Sequence, residues 1–364
     1  MIVSDIKQRI EQRLDQGLEG QWYIVAKSSD VADGKPFAAK ALGRHIVLWR
    51  TEGKINCVED YCPHRGARLS RGEVLGDNIA CRYHGLVISG EGCIVKVPAM
   101  PNCSLEGRMA VRRYEVREMA GAVFAYIPSA TQPEAPEFEL PYELTNDEYT
   151  TFLCTGVWEC NYRYALDNLA DPMHGCYLHA NSFTLAYGTK QDLTQIEKTD
   201  EGFIIGRVGQ RGDNFDWTEV VADAPLPYCR LDIPYPPAGG PGGVMRILTF
   251  VTPLDENNCR IFFYRTRKVG GLTRELWRFL YRARFETRHW RVLEQDREML
   301  SAMPQDARRR EMLYQHDIGV SRLRKTLIGR AKAQIDAEDK LAATQPAATQ
   351  TSGRAEREQA AVGC

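Results

Sequence analysis

No run of this 364-residue sequence approaches the roughly 18 consecutive apolar residues that span a bilayer, so no transmembrane helix is expected. Charge of one sign is missing as well. Lys and Arg number 47 against 48 Asp and Glu, a formal net charge of −1, and nothing global points to nucleic acid or an anionic membrane surface. The N-terminal MIVSDIKQRIEQRLDQG carries charges at helical spacing where a signal peptide would have an apolar core, which leaves a cytoplasmic location as the expectation. No internal repeat is visible. The 11 cysteines are not expected to form a disulfide framework in a cytoplasmic chain; where they cluster with other donors, metal ligation is the better reading.

What is present suits two domains better than one. Residues 1–20 read as an amphipathic helix with Ile6, Ile10 and Leu14 on one face. From 21 to 128 short strands such as QWYIVAK, HIVLWR and GAVFAYIP alternate with turns, SGEG at 89–92 among them, and make a small all-β module. The Pro-rich SATQPEAPEFELP (129–141) reads as a linker. A second domain, 142–330, opens on the strand TFLCTGVWEC and continues through a helical segment from Asn161 to about Tyr177. A series of strands follows, the last two joined by the turn DENN (255–258), and then a long helix from about Thr273 to Ser301. The expected class is α+β: an all-β domain, then an antiparallel sheet flanked by helices. Residues 331–364 lose periodicity and read as a disordered tail.

Two constellations carry chemistry. The first is Cys62-Pro-His64-Arg-Gly66-Ala, followed by Cys81-Arg-Tyr-His84-Gly85. Each loop offers one thiolate and one imidazole, and two such loops side by side supply Cys₂ to one iron and His₂ to the other, the Rieske [2Fe–2S] arrangement. Pro63 and Gly66 suit a tight turn whose backbone N–H groups can face the sulfurs. A Cys₂His₂ zinc site is the plainer alternative, but zinc fingers usually keep cysteines in one pair and histidines in the other. The second is Asp167-Asn168-Leu-Ala-Asp171-Pro-Met-His174-Gly-Cys-Tyr-Leu-His179. Two histidines and a carboxylate on one side of an iron leave positions open for O₂ chemistry. His174 and His179 are five apart, about 140° around an ideal helix, so the helix must end or distort between them, with Gly175 a plausible place. Asp171 and His174 would share a helix face. Standing alone, two histidines near a helix end are more often surface or core residues; beside a Rieske motif the balance reverses.

With both motifs in this order, the chain resembles the Rieske ring-hydroxylating oxygenases over roughly residues 20–320. The family's Asn-x-x-Asp-x-x-His-x₄-His falls on Asn168, Asp171, His174 and His179. The resemblance implies that His174 and His179 ligate a mononuclear Fe(II), and that Asp171 bridges to a neighbouring subunit's cluster. It also implies a third ligand on the late helix, where VLEQDREML places Asp296, with Glu294 and Asp306 as alternatives. Also implied are an NAD(P)H-dependent reductase or ferredoxin as electron donor, O₂, a small organic substrate, and a head-to-tail homotrimer. Leu86, where many dihydroxylating members carry Trp, and the compact length resemble the group that includes vanillate O-demethylase. Monooxygenation of an aromatic acid is therefore expected, with cis-dihydroxylation second and an electron-transfer Rieske protein or a zinc-structured binding protein behind.

His45, His289 and His316 lack ligand spacing, and Cys57, Cys93, Cys103, Cys154, Cys160, Cys176, Cys229 and Cys259 read as small buried side chains. Of the strand arginines Arg207, Arg230, Arg246, Arg265 and Arg267, one or two could point inward and hold a substrate carboxylate. Phe183, Leu185, Phe215, Trp217, Ile247 and Phe262 could line an apolar pocket or fill core.

Overall fold

The computed structural model describes residues 2–182, 193–209, 217–234 and 243–344. The chain divides into two compact units, one of residues 19–135 with the end of the last helix from 334, the other of residues 1–18 and 136–333.

The first unit is built from ten strands. β1 (Gln21–Lys27), β10 (Ala122–Ile127) and β9 (Val116–Met119) form one sheet; β2 (Phe37–Ala41), β3 (Arg44–Thr51) and β4 (Lys54–Glu59) form a second. β5 (Glu73–Leu75), β6 (Asn78–Ala80), β7 (Val87–Ser89) and β8 (Ile94–Lys96) form a third. All of their pairings are antiparallel. One core packs Tyr23, Ile46, Leu48 and Val123; another packs Trp49, Val58, Ile79 and Ile88 around Cys62 and Cys81. Burying the cysteine loops' roots in this second core is what makes the β scaffold a rigid holder for exposed loop tips.

In the second unit, α1 (Ile2–Gln16) lays Leu14 into the main core, and Arg163 reaches back to Glu11 and Asp15. The seven-stranded antiparallel sheet runs β11-β17-β16-β15-β14-β13-β12. These are β11 (Tyr149–Trp158), β12 (Thr194–Thr199), β13 (Gly202–Arg207), β14 (Trp217–Val221), β15 (Tyr228–Pro234), β16 (Val244–Asp255) and β17 (Asn258–Lys268). Six strands follow one another as a meander, and β11 returns to the edge beside the last. The β16–β17 hairpin closes between Asp255 and Asn258. Against the sheet pack α2 (Tyr162–Leu169), α3 (Gly175–Leu178), α4 (Gly271–Leu280) and α5 (Glu286–Ser301); α6 (Ala307–Arg310) and α7 (Ile318–Thr344) follow. One π-helical turn, Tyr281–Phe285, joins α4 to α5, so the expected long helix is nearly continuous. Among the described residues no helix is long and apolar enough to cross a membrane.

Two expectations need correction. The helix expected from Asn161 to Tyr177 is interrupted: α2 stops at Leu169, a turn carries Asp171 to His174, and α3 starts at Gly175. Pro172 lacks the N–H and crowds the preceding turn, which is why the break falls there and not at Gly175 alone. The chain also does not lose order at Arg330, since α7 runs to Thr344. Leu323, Leu327, Ala331 and Ile335 are buried at a strict four-residue spacing, a seam that an Ala- and Lys-rich composition hides. Residues 345–364 lie outside the described residues. Of the two readings left open for Phe262, the structure gives core: it lies on the opposite face of β17 from Phe263 and Arg265.

Candidate metal centres

The two cysteine loops are built alike. In the first, the Cys62 N–H donates to the Ala67 carbonyl at 2.8 Å and the Gly66 N–H to the Cys62 carbonyl at 2.8 Å. In the second, Cys81 N–H donates to the Leu86 carbonyl at 2.8 Å and Gly85 N–H to the Cys81 carbonyl at 2.9 Å. Each ring closes through a glycine in the left-handed region, Gly66 at φ 79° and Gly85 at φ 73°, where a side chain would be strained. The loops follow β4 and β6 and bring both sulfurs together under the surface: Cys62 is 1% and Cys81 2% exposed. His64 and His84 stand outside them in solvent, ring centroids 4.6 Å apart. Burial pushes the Cys62 thiol up to about 11, opposed by the backbone N–H groups of His64 and Arg65 aimed at the sulfur. N–H donors facing a buried sulfur are what a cluster needs. Two buried sulfurs beneath two exposed imidazoles fit a [2Fe–2S] group with Cys₂ inward and His₂ outward, and not the segregated pairs of a zinc finger.

The second centre gathers from distant elements. His174 lies in the turn before α3, His179 just after it, and Asp296 on α5. Nε2 of His179 is 3.3 Å and Nε2 of His174 3.6 Å from Oδ1 of Asp296, and one donor atom from each residue lies within 4.8 Å of the others. Both rings are turned by their other nitrogen. His174 Nδ1 is 2.5 Å from the backbone carbonyl of Asp171, and His179 Nδ1 is 2.9 Å from Oε1 of Gln295. Each Nδ1–H is thereby used as a donor, leaving an Nε2 lone pair directed at the shared space. Burial pulls the His179 ring down, but Asp296 and Gln295 outweigh it and hold it above the ordinary histidine range. The carboxylate also accepts from Asn168 Nδ2 at 3.3 Å. His₂ and one carboxylate, nearly dry on one side, is a donor set that fits iron(II) with open positions.

The structure separates the alternatives. Glu294 is a surface group tied to Arg297, and Asp306 pairs with Arg310 in solvent. Asp171 differs from the expectation in detail. Its backbone carbonyl, not its carboxylate, orients His174, while Oδ1 accepts from the Met173 N–H at 2.8 Å. The helix break at Pro172 creates this: Asp171 and His174 share a turn, not a helix face. Gln295 was not foreseen, and nothing in its type distinguishes it from a surface glutamine. Asp167, held by Arg308 and Arg324, braces α2 from behind.

Two cavities flank the centre. One of about 710 Å³ has Asn168, Asp171 and His174 among its walls, with Tyr177, Met299 and Met303. The other, about 510 Å³, is lined by Ile233, Met245, Ile247, Phe263 and Phe285, with Gln295 and Arg265. Ile247 therefore lines a cavity, whereas Phe183, Leu185 and Phe215 lie outside the described residues. Trp217, half-buried on β14, is not among the lining residues described.

Residues 21–116 match the family model of the Rieske [2Fe–2S] domain and residues 158–333 that of the vanillate O-demethylase oxygenase C-terminal domain. Among curated relatives, the chloroplastic protein TIC 55 of Arabidopsis thaliana is 29% identical over 50% of this chain and 35% of its own length. The vanillate O-demethylase oxygenase subunit of a Pseudomonas species is 34% identical over 44% of this chain and 45% of its own. The match thus spans half or less of these relatives. Among solved structures, a carbazole-bound oxygenase–ferredoxin complex of carbazole 1,9a-dioxygenase superposes with a TM-score of 0.71 at 19% identity, covering 90% of this chain and 94% of that one. Dicamba monooxygenase bound to dicamba gives 0.70 at 20% identity, covering 87% and 98%. A Rieske domain followed by a vanillate O-demethylase-type C-terminal domain, each around the donor set its chemistry requires, identifies the chain: it belongs to the Rieske non-heme iron oxygenases.

Proposed function

We propose that this chain is the oxygenase component of a multicomponent Rieske system that hydroxylates, or O- or N-demethylates, a small aromatic acid. Cys62, His64, Cys81 and His84 would hold the [2Fe–2S] cluster, and His174, His179 and Asp296 the mononuclear Fe(II). Together these groups, when bound, would supply stored single electrons and an O₂-activating metal. The chain's own residues supply orientation: the Asp171 carbonyl and Gln295 fix the ring tautomers, and Asn168 steadies the ligand carboxylate. The apolar cavity reached from Gln295 would hold the ring and exclude water. The observation that carries the reading is the convergence of three donor atoms from segments more than a hundred residues apart, on a chain that also carries the Rieske loops.

Electrons would come from NAD(P)H through a reductase or ferredoxin; ferredoxin is the partner in the similar carbazole dioxygenase complex. Asp171 and the larger cavity would face the cluster domain of a neighbouring subunit in a trimer. Monooxygenation is favoured by the match to the vanillate O-demethylase domain. cis-Dihydroxylation is the second reading, since a carbazole 1,9a-dioxygenase oxygenase component of Metapseudomonas resinovorans is 28% identical over 53% of the chain. Aromatic acids and their methyl ethers offered with a surrogate reductase decide between them: formaldehyde or a single hydroxyl is expected, and a cis-diol would favour the second. No product from any aromatic, with both metals loaded, would overturn the proposal.

A further inference from the structure

The strand arginines sort by what surrounds them. Arg230 pairs with Glu143 and Glu219, and Arg246 with Asp232 and Glu143. Arg267 lies over the Trp277 ring at 4.5 Å, and Arg207 donates to Cys176 Sγ at 3.1 Å. Arg265 also lies over a ring, Trp290 at 5.8 Å, but differs in its hydrogen bonding. It is 2% exposed, sits mid-strand on β17 opposite Ile247, and makes no ion pair among the described residues. Its Nη1 donates to two neutral acceptors, Tyr281 Oη at 2.7 Å and Cys154 Sγ at 2.9 Å, while its Nη2 is buried with no hydrogen-bond partner. It lines the 510 Å³ cavity otherwise walled by Ile233, Met245, Ile247, Phe263 and Phe285.

A buried guanidinium with an unmade bond is costly unless something completes it. Tyr281 and Cys154 fix the fork's direction but contribute no formal charge, because burial holds both hydroxyl and thiol in their neutral forms. His289, on the same wall, is pushed down to about 3 by burial and then by Arg265 and Arg288, so it is neutral too. Among the described residues the cavity walls therefore offer one buried cation, with Glu286 the acidic charge acting on its Cys154 partner, in an apolar box that shares Gln295 with the His179 side of the metal centre. Arg288 and Arg291, both exposed and without an ion pair among the described residues, give the rim the same sign.

We propose that Arg265 is the specificity-determining residue of this cavity, where its guanidinium, with Nη2 lacking a hydrogen-bond partner, receives the carboxylate of an aromatic acid whose ring fills the apolar walls. The proposal rests on the oxygenase reading for the meaning of the cavity, but its test needs no turnover. Binding of 4-methoxybenzoate and of its neutral isostere 4-methoxybenzamide is measured by anaerobic calorimetry on the metal-loaded protein, with iron content and melting temperature recorded for every preparation. The wild type should favour the carboxylate by about 30-fold, the worth of a charge-assisted bond in a dry site. Arg265→Gln should erase that preference while leaving amide binding within about threefold, and Arg265→Lys should restore part of it, since it keeps the charge but not the fork. A purely structural role would weaken both ligands alike. No preference in the wild type, or an undiminished one in Arg265→Gln, overturns the proposal. Turnover of neutral aromatics with no carboxylate preference would overturn this proposal and leave the oxygenase reading standing; the preference without any turnover would do the reverse.

Discussion

At the residue scale the site depends on which donor atoms face inward, and single substitutions should separate the two centres. Asp296→Ala removes the carboxylate that joins His174 and His179 in the cluster, so the protein should lose the mononuclear iron and keep the visible spectrum of the [2Fe–2S] group. Glu294→Ala, which removes only a surface partner of Arg297, should change neither. Iron analysis of both variants checks this; loss of iron in Glu294→Ala alone would reassign the ligand. His84→Cys should keep a cluster but lower its reduction potential, because a thiolate adds charge where a neutral imidazole stood. An unchanged potential would remove His84 from the ligand set. These residues were legible because metal ligation constrains residue type and spacing together. Gln295 and the Asp171 carbonyl were not: a backbone carbonyl has no residue signature, and one glutamine in a helix resembles another.

At the scale of elements, the site depends on where α2 ends and what packs against that end. Gly319, at the start of α7, is the contact point. A Cβ there would lie 2.5 Å from the Ala170 carbonyl and 2.6 Å from Ile205 Cδ1, so the helix seats on the segment just before Asp171 only because glycine is present. Gly319→Ala should cost about 1–3 kcal/mol as an overpacking change. Gly329→Ala on the same helix meets nothing within 4 Å and should stabilise by up to about 1 kcal/mol through helix propensity. Denaturant midpoints of the pair check this, and equal effects would deny the close seat. The strands and the α4–α5 helix were readable from periodicity. The broken α2 and the ordered α7 were not, because both are decided by tertiary contacts: Pro172 within a turn, and a sparse four-residue seam in a polar helix.

For the whole molecule, the sequence motifs place the donor residues of both centres but say nothing of a path between them. Asp171 lies on the wall of the larger cavity, its Oδ1 used by the Met173 N–H. Asparagine can keep that bond while removing the charge and one acceptor oxygen. On the proposed trimer, Asp171→Asn should therefore retain both metals yet turn over far more slowly, because what it loses serves the link to the neighbouring cluster and not the His174 ring, which the backbone carbonyl holds. Wild-type turnover in this variant would remove Asp171 from the proposed link between subunits. The account rests first on one chain carrying both metal groups. Iron, zinc and acid-labile sulfide per chain, measured with the visible spectrum before and after reduction, test that most directly. The account predicts a red-brown protein with about three irons and about two sulfides per chain. A colourless protein with stoichiometric zinc and no sulfide would contradict it.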